Sequence, residues 1–227
     1  MRVAASWSGG KDSCLACYLA MGQGHQVTHL WNFISAGTRS VSAHGVSGRL
    51  IRRQAQATGI PLVQYAVPDG PGQYELRLKR AVSILRRDGL EGMVFGDIYL
   101  QEHRDWIERV CRDMGITPLL PLWGMKSEQV LQQFLDSGFE SVIVSARASA
   151  LGPEWLGRRL DEACLVELRA LCQQKGIDVC GEGGEYHTLV VNGPLFRKRL
   201  RLTLGDAEQR DGQWYVSIRR SYIVEKG

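Results

Sequence analysis

Strand-like and helix-like stretches alternate five times over the first 119 residues of this chain, and no other feature restricts its fold so strongly. Val3-Ala4-Ala5 and residues 27–33, 62–67, 93–97 and 116–119 read as strands. Between them, Cys14-Leu15-Ala16-Cys17-Tyr18-Leu19 and residues 50–57 and 74–87 carry helical apolar faces, and Trp106, Ile107, Val110 and Met114 mark another helix. Strands separated by helices pair in parallel, so the pattern predicts an α/β fold: a parallel five-stranded doubly wound sheet with helices on both faces. Ligands of such sheets bind beyond the carboxyl ends of the strands. Ser8, Asn32-Phe33, Gly96-Asp97 and Pro121-Leu122-Trp123 are therefore expected along one crevice.

From about Lys126 the rhythm changes. A helix over 127–137 with Ser127 as its cap, a strand over 141–144 and a long helix over 158–174 are predicted. Residues 200–204 and 214–218 read as antiparallel strands around the turn Asp211-Gly212. This is a smaller C-terminal α+β domain, dividing the chain into 1–122 and 123–227.

Ser8-Gly9-Gly10-Lys11-Asp12-Ser13 stands where the first strand turns into the first helix. Paired glycines let the backbone approach an anion, the serines offer hydroxyls, and a helix start aims unpaired N–H groups at the same point. Lys11 adds a full positive charge. No Walker pattern occurs in the chain. A second dense motif, Gly181-Glu182-Gly183-Gly184-Glu185-Tyr186-His187-Thr188, sets two carboxylates among glycines, suited to holding Mg²⁺, binding ammonium or acting as a base. A Gly-rich turn with solvated glutamates is the structural alternative.

Composition narrows the classes further. Hydrophobic content of 44% and charged content of 23% are ordinary for a globular protein, and no stretch reaches the apolar length of a membrane span. The residues before the first strand lack a secretory leader, so a cytoplasmic location is expected. The formal charge of +4 is too mild to indicate nucleic acid, and the basic run Arg197, Lys198, Arg199 and Arg201 is expected to be a solvated strand edge. The six cysteines are expected as free thiols, with Cys14-x-x-Cys17 packed against the sheet.

The hexapeptide at Ser8 resembles the PP-loop of the ATP pyrophosphatases, members of the PP-loop/HUP-like folds. With Gly96-Asp97-Ile98, Pro121-Leu122-Trp123-Gly124, Trp155-Leu156-Gly157-Arg158 and 181–188 in this order, the whole chain resembles the diphthine–ammonia ligase family. The resemblance implies an ATP-dependent ligase: Mg-ATP adenylates a carboxylate, pyrophosphate leaves, and ammonia displaces AMP to give an amide. It implies ATP and Mg²⁺ as cofactors, ammonium as donor, and diphthine on elongation factor 2 as acceptor, in diphthamide biosynthesis. Ser8, Gly9, Gly10, Lys11, Asp12 and Ser13 would grip phosphates, with Lys11 stabilising the departing pyrophosphate and Asp12 near the metal. Asn32 and Phe33 would lie near adenine or ribose, and His44 near nucleotide or substrate. Asp97, Arg104, Glu182 and Glu185 would face the acceptor carboxylate and ammonium. Where family members commonly carry an acidic residue, this chain has His187. The second domain either closes over the first or pairs with another copy in a homodimer. Three further readings stay open: a tRNA-modifying PP-loop enzyme, a small-molecule amide ligase in cofactor or cobamide salvage, and a nucleotide sensor without catalysis.

Overall fold

A computed structural model describes residues 1–41, 44–68 and 70–226. Five parallel strands, β1 (Arg2–Ser6), β2 (Gln26–Ser35), β3 (Leu62–Val67), β4 (Gly92–Val94) and β5 (Thr117–Leu119), form one sheet in the order β3-β2-β1-β4-β5. Four helices cross over between them: α1 (Lys11–Gly22), α2 (Gly48–Thr58), α3 (Gln73–Arg87) and α4 (Gln101–Met114). Alternate strand residues serve opposite faces, as the pleat requires. Val3, Ala5, Leu30 and Val94 join the core with α1 and α2, whereas Ala4, Trp31 and Met93 pack with Leu78, Val82, Ile107 and Val110 of α3 and α4. The sheet is thus covered on both sides, and the strand order reverses beside β1, where the phosphate loop emerges.

The remaining elements are α5 (Ser127–Asp136), β6 (Glu140–Arg147), α6 (Glu162–Lys175), β7 (Tyr186–Asn192), β8 (Arg199–Arg210) and β9 (Gln213–Val224). Their strands make an antiparallel sheet in the order β7-β6-β9-β8. It packs on the α1/α2 side, so that Leu15 and Ile51 share one continuous core with Phe134, Leu165 and Leu189.

Several local expectations are corrected. Ser127 is the first residue of α5 rather than its cap; Lys126 holds the cap position, and the Ser127 hydroxyl donates to Asp178 Oδ2 at 2.6 Å. The helix expected from residue 158 begins at Glu162, because Asp161 accepts the Cys164 N–H at 3.0 Å and fixes the start there. Arg159 instead makes an extended bridge with Val142. The last two strands run 12 residues each, longer than predicted. Their turn places Asp211 at φ 51° and Gly212 at φ 75°, the doubly left-handed geometry that continues a hairpin ladder without splaying it. β8 is an edge strand, and two residues of the basic run are paired: Lys198, just before the strand, with Glu225 at 2.5 Å, and Arg199 with Glu140. All six cysteines are free. Cys14 and Cys17 are fully buried, and burial raises both thiols, Cys17 to about 12, which suits packing rather than sulfur chemistry.

Candidate active site

The phosphate loop is held from behind by β7, a strand that was not anticipated from the sequence because its first residues belong to the glycine-rich motif. β7 pairs with β6 on one side only. Its other edge receives the loop: Val190 N–H donates to Gly9 C=O at 2.9 Å, and Lys11 N–H donates to Thr188 Oγ1 at 3.0 Å. Gln54 on α2, completely buried, completes the clamp. Its Nε2 donates to the carbonyls of Gly9 and Val190 at 2.9 and 2.7 Å, while its Oε1 accepts from the Trp7 indole at 2.8 Å. Gly9 sits at φ 84°, and a Cβ there would come within 2.6 Å of the Gln54 amide oxygen, so this position needs glycine twice over.

Lys11 points into this rear face. Its side chain is buried, with Nζ 2.8 Å from Asp12 Oδ2 and 5.3 Å from the Tyr186 ring centre. Burial works against its charge, but Asp12, Cys180 and Tyr186 outweigh that, holding its pKa well above the usual lysine value. Asp12 also receives the Cys180 thiol at 3.6 Å.

The front face opens into the crevice. Gly10 caps α1 and offers no side-chain hydrogen bond, and the first-turn N–H groups at Asp12 and Ser13 find no acceptor among the described residues. Ser8 and Ser13 hydroxyls lie 3.2 Å apart beside them. Gly96, just past β4, lies so close that a Cβ would stand 2.8 Å from the Asp12 carbonyl carbon; the absence of a side chain lets the strand end abut the helix start. Ser8, Asp12, Ser13, Asp97, His103 and Glu182 line the resulting cavity of about 210 Å³. Burial raises the Glu182 pKa, countered by the Ile98 N–H that its Oε1 accepts at 3.1 Å. Asp97 Oδ1 is 3.0 Å from His103 Nδ1.

On the other side of β1 a cavity of about 420 Å³ is lined by Ser8, Asn32, Phe33, His44 and Tyr74 among others. Asn32 is buried, donating to Trp7 C=O at 2.8 Å and accepting from Gln64 Nε2 at 2.8 Å. His44 Nδ1 is 3.1 Å from Thr188 C=O, and its ring lies 4.7 Å from that of His187. Burial lowers both imidazoles, His44 to about 4 and His187 to about 3, so the pair is neutral near pH 7.

Two expected residues do not reach the crevice. Arg104 Nε donates to Glu108 Oε1 at 2.6 Å, and its guanidinium lies 5.0 Å from the Trp123 ring centre. Glu185 is buried behind the motif, 3.3 Å from Arg147 Nη2 and accepting the Asp178 N–H at 3.4 Å. The glycines around it produce a turn that presents Glu182 outward and folds Glu185 inward, a split the symmetric spacing does not reveal. Gln54 left no signal of its own in the sequence, and Thr188 closes the glycine-rich motif, but only the fold brings either to the loop.

Residues 1–118 match the model of the diphthamide synthase N-terminal domain and residues 126–224 that of the diphthamide synthase C-terminal domain. The chain belongs to the diphthamide synthase family. The diphthine–ammonia ligases of Bos taurus and Homo sapiens are each 32% identical to it over 88% of this chain and 82% of theirs. That of Mus musculus is 29% identical, covering 100% of this chain and 94% of its own. A predicted subunit of tRNA methyltransferase from Methanocaldococcus jannaschii superposes with a TM-score of 0.46 at 17% identity, over 86% of this chain and 98% of that one, too loosely to bear on function.

Proposed function

We propose that this diphthamide synthase family member is an ATP-dependent amide ligase that adenylates a carboxylate, amidates it with ammonia, and acts on diphthine of elongation factor 2. The observation carrying this reading is the two-sided loop: rear groups consumed by β7 and Gln54, front N–H groups and hydroxyls opening on a cavity that also holds Asp12, Asp97 and Glu182. A loop so fixed can stabilise developing phosphate charge without reorganising. The cavity beside Asn32 and Phe33 takes the adenosine end of ATP.

In the first step an acceptor carboxylate oxygen bonds to the α-phosphorus, the bond to the bridging oxygen breaks, and pyrophosphate departs with that electron pair. In the second, ammonia bonds to the carbonyl carbon, the carbon–oxygen bond to AMP breaks, and the extra proton on nitrogen is released. Glu182, its pKa raised by burial, is placed to take that proton. Lys11 acts from behind by fixing Asp12 and adding positive potential at the loop.

Mg²⁺ in nucleotide sites uses one or two carboxylates together with phosphates and water. The residues fit that mode: Asp12 lines the cavity in front of the loop, and its Oδ1 receives the Cys180 thiol at 3.6 Å. Asp12 would hold the ion, which would neutralise pyrophosphate charge. Among the described residues no helix is long and apolar enough to cross a membrane. The division of the chain at residue 122 remains part of this proposal, with the second unit serving to brace the loop.

The test is incubation with Mg-ATP and ammonium, with and without diphthine-bearing elongation factor 2, measuring AMP and pyrophosphate. Factor-dependent AMP is expected. ADP and phosphate as products, or AMP formation indifferent to the factor, would overturn the assignment.

A further inference from the structure

Away from the crevice, α2 and the β8–β9 hairpin enclose a groove of about 460 Å³ in which arginine predominates. Arg49 and Arg53 of α2 and Arg210, Arg219 and Arg220 of the hairpin line it. Opposing them are Glu208, also in the groove, and Asp206, which accepts from Arg219 Nη2 at 2.7 Å. Five cations against two carboxylates account for most of the chain's formal surplus of +4. The mild net charge of the whole chain thus conceals one strongly positive surface.

The charge is available to a ligand. Arg49 and Arg220 are exposed, and their side chains have no hydrogen-bond or ion-pair partner among the described residues. Arg53 is held in place without meeting a carboxylate, its Nη1 donating to Ser221 Oγ at 2.5 Å. Beneath the arginines, Val46, Leu50, Val216 and Ile218 give the groove an apolar floor. An apolar centre rimmed by cations fits a protein segment that carries carboxylates around apolar side chains. Nucleic acid would call for open aromatic faces, whereas the Tyr215 ring has Gly45 packed against it and the Arg210 guanidinium 5.1 Å from its centre.

The groove also adjoins the site. Val41 and His44 line the cavity assigned to adenosine, Gly45 and Ser47 line the groove, and the bridge between Ser40 and Ser47 fixes the wall they share. A protein held specifically covers about 800 Å² of its partner, and a phosphate cavity of about 210 Å³ admits only the reacting side chain. We propose that the arginine groove docks an acidic segment of the protein acceptor and so holds the acceptor while its carboxylate reaches the phosphate loop. The inference rests on the ligase reading for the identity of the acceptor and extends it by naming the surface and the chemistry that recognise it.

The probe is a short fluorescein-labelled peptide alternating glutamate and leucine, titrated into the whole protein without ATP and followed by anisotropy. Micromolar binding is expected, weakening steeply with salt and weakening several-fold when serine replaces leucine. Arg49→Glu combined with Arg220→Glu should weaken the peptide about tenfold or more, while Arg112→Glu, an exposed position on α4 across the sheet, should change it less than about twofold. The double variant should keep the thermal transition of the unaltered protein, since neither side chain has a partner to lose. Unlabelled diphthine-bearing elongation factor 2 should displace the peptide. Equal weakening by the groove and α4 substitutions, or failure of the factor to displace the peptide, overturns the proposal. An oligouridylate of the same net charge that binds more tightly and is lost with the same two substitutions also overturns it, by assigning the groove to RNA. Because no turnover is read, failure here leaves the ligase reading standing, and failure of AMP formation leaves the docking result standing.

Discussion

The two faces of the loop Ser8–Ser13 are built on opposite terms. Behind, nearly every polar group has a protein partner: Gly9 C=O takes two donors, Lys11 N–H reaches Thr188, and the Lys11 ammonium is buried against Asp12 and Tyr186. In front, the N–H groups of Asp12 and Ser13 face a cavity, and the Ser8 and Ser13 hydroxyls bond to each other and to the Gly10 backbone. The rear supplies rigidity and the front supplies unspent hydrogen-bonding capacity. A single-sheet protein could make the front; it needs the second sheet to make the rear.

The largest expected effect comes from removing the one charge that links the faces. Lys11→Met keeps the volume but leaves Asp12 unpaired, and AMP formation should fall by about two to three orders of magnitude while the thermal unfolding transition stays cooperative. Normal AMP release in that variant would mean the rear face does not support the chemistry. Next is Gln54→Ala, which strands the Trp7 indole and removes one donor each from the Gly9 and Val190 carbonyls. Urea denaturation should register a loss of about 3 kcal/mol. A loss under about 1 kcal/mol would show that the clamp is dispensable.

A pH series sharpens the comparison at its seam, where His44 and His187 stack beside the loop. Both imidazoles ordinarily titrate near 6.5, and burial holds them at about 4 and about 3. Between pH 6.5 and 4 the unfolded chain binds protons that the folded one refuses. Their contribution is therefore complete above pH 6.5 and is lost as the pH falls toward 4, by at most about 1.4 kcal/mol per pH unit for each. Replacing both with glutamine should flatten the stability profile across that window; an unchanged slope would locate the acid sensitivity elsewhere. The smallest effect belongs to Arg104→Gln. Its carboxylate partner is an exposed neighbour on the same helix, so turnover should change less than about twofold and stability by under about 0.5 kcal/mol. A large loss of turnover would bring Arg104 back to the crevice.

Much of the first sheet was legible because its signals are short-ranged. Strand β3 was predicted to its end residues, and α2 ends at Gly59, whose φ of 75° requires the left-handed conformation glycine allows. β7 was harder to see, since the functional motif and the strand overlap at Tyr186-His187-Thr188. The start of α6 shifted because a nearby cap, Asp161, overrode the apolar pattern. In the site, Ser8 and Asp97 meet at one crevice as the argument from strand ends expects, and Glu182, which the family resemblance brings there, lines it with them, whereas Arg104 and Glu185 point elsewhere. Spacing in a motif reports how closely residues follow one another, not which way a turn aims them.

The sequence by itself determined the parallel sheet, the loop at its first turn and the class of anion such a loop can hold, because hydrophobic period, glycine conformations and a helix start are properties of a few consecutive residues. Only the tertiary structure decided that Lys11 faces backward and that Gln54 and Thr188 hold the loop. Those outcomes depend on contacts between residues 45 and 177 positions apart, and long-range packing determines which of two sterically allowed faces a local motif turns to solvent.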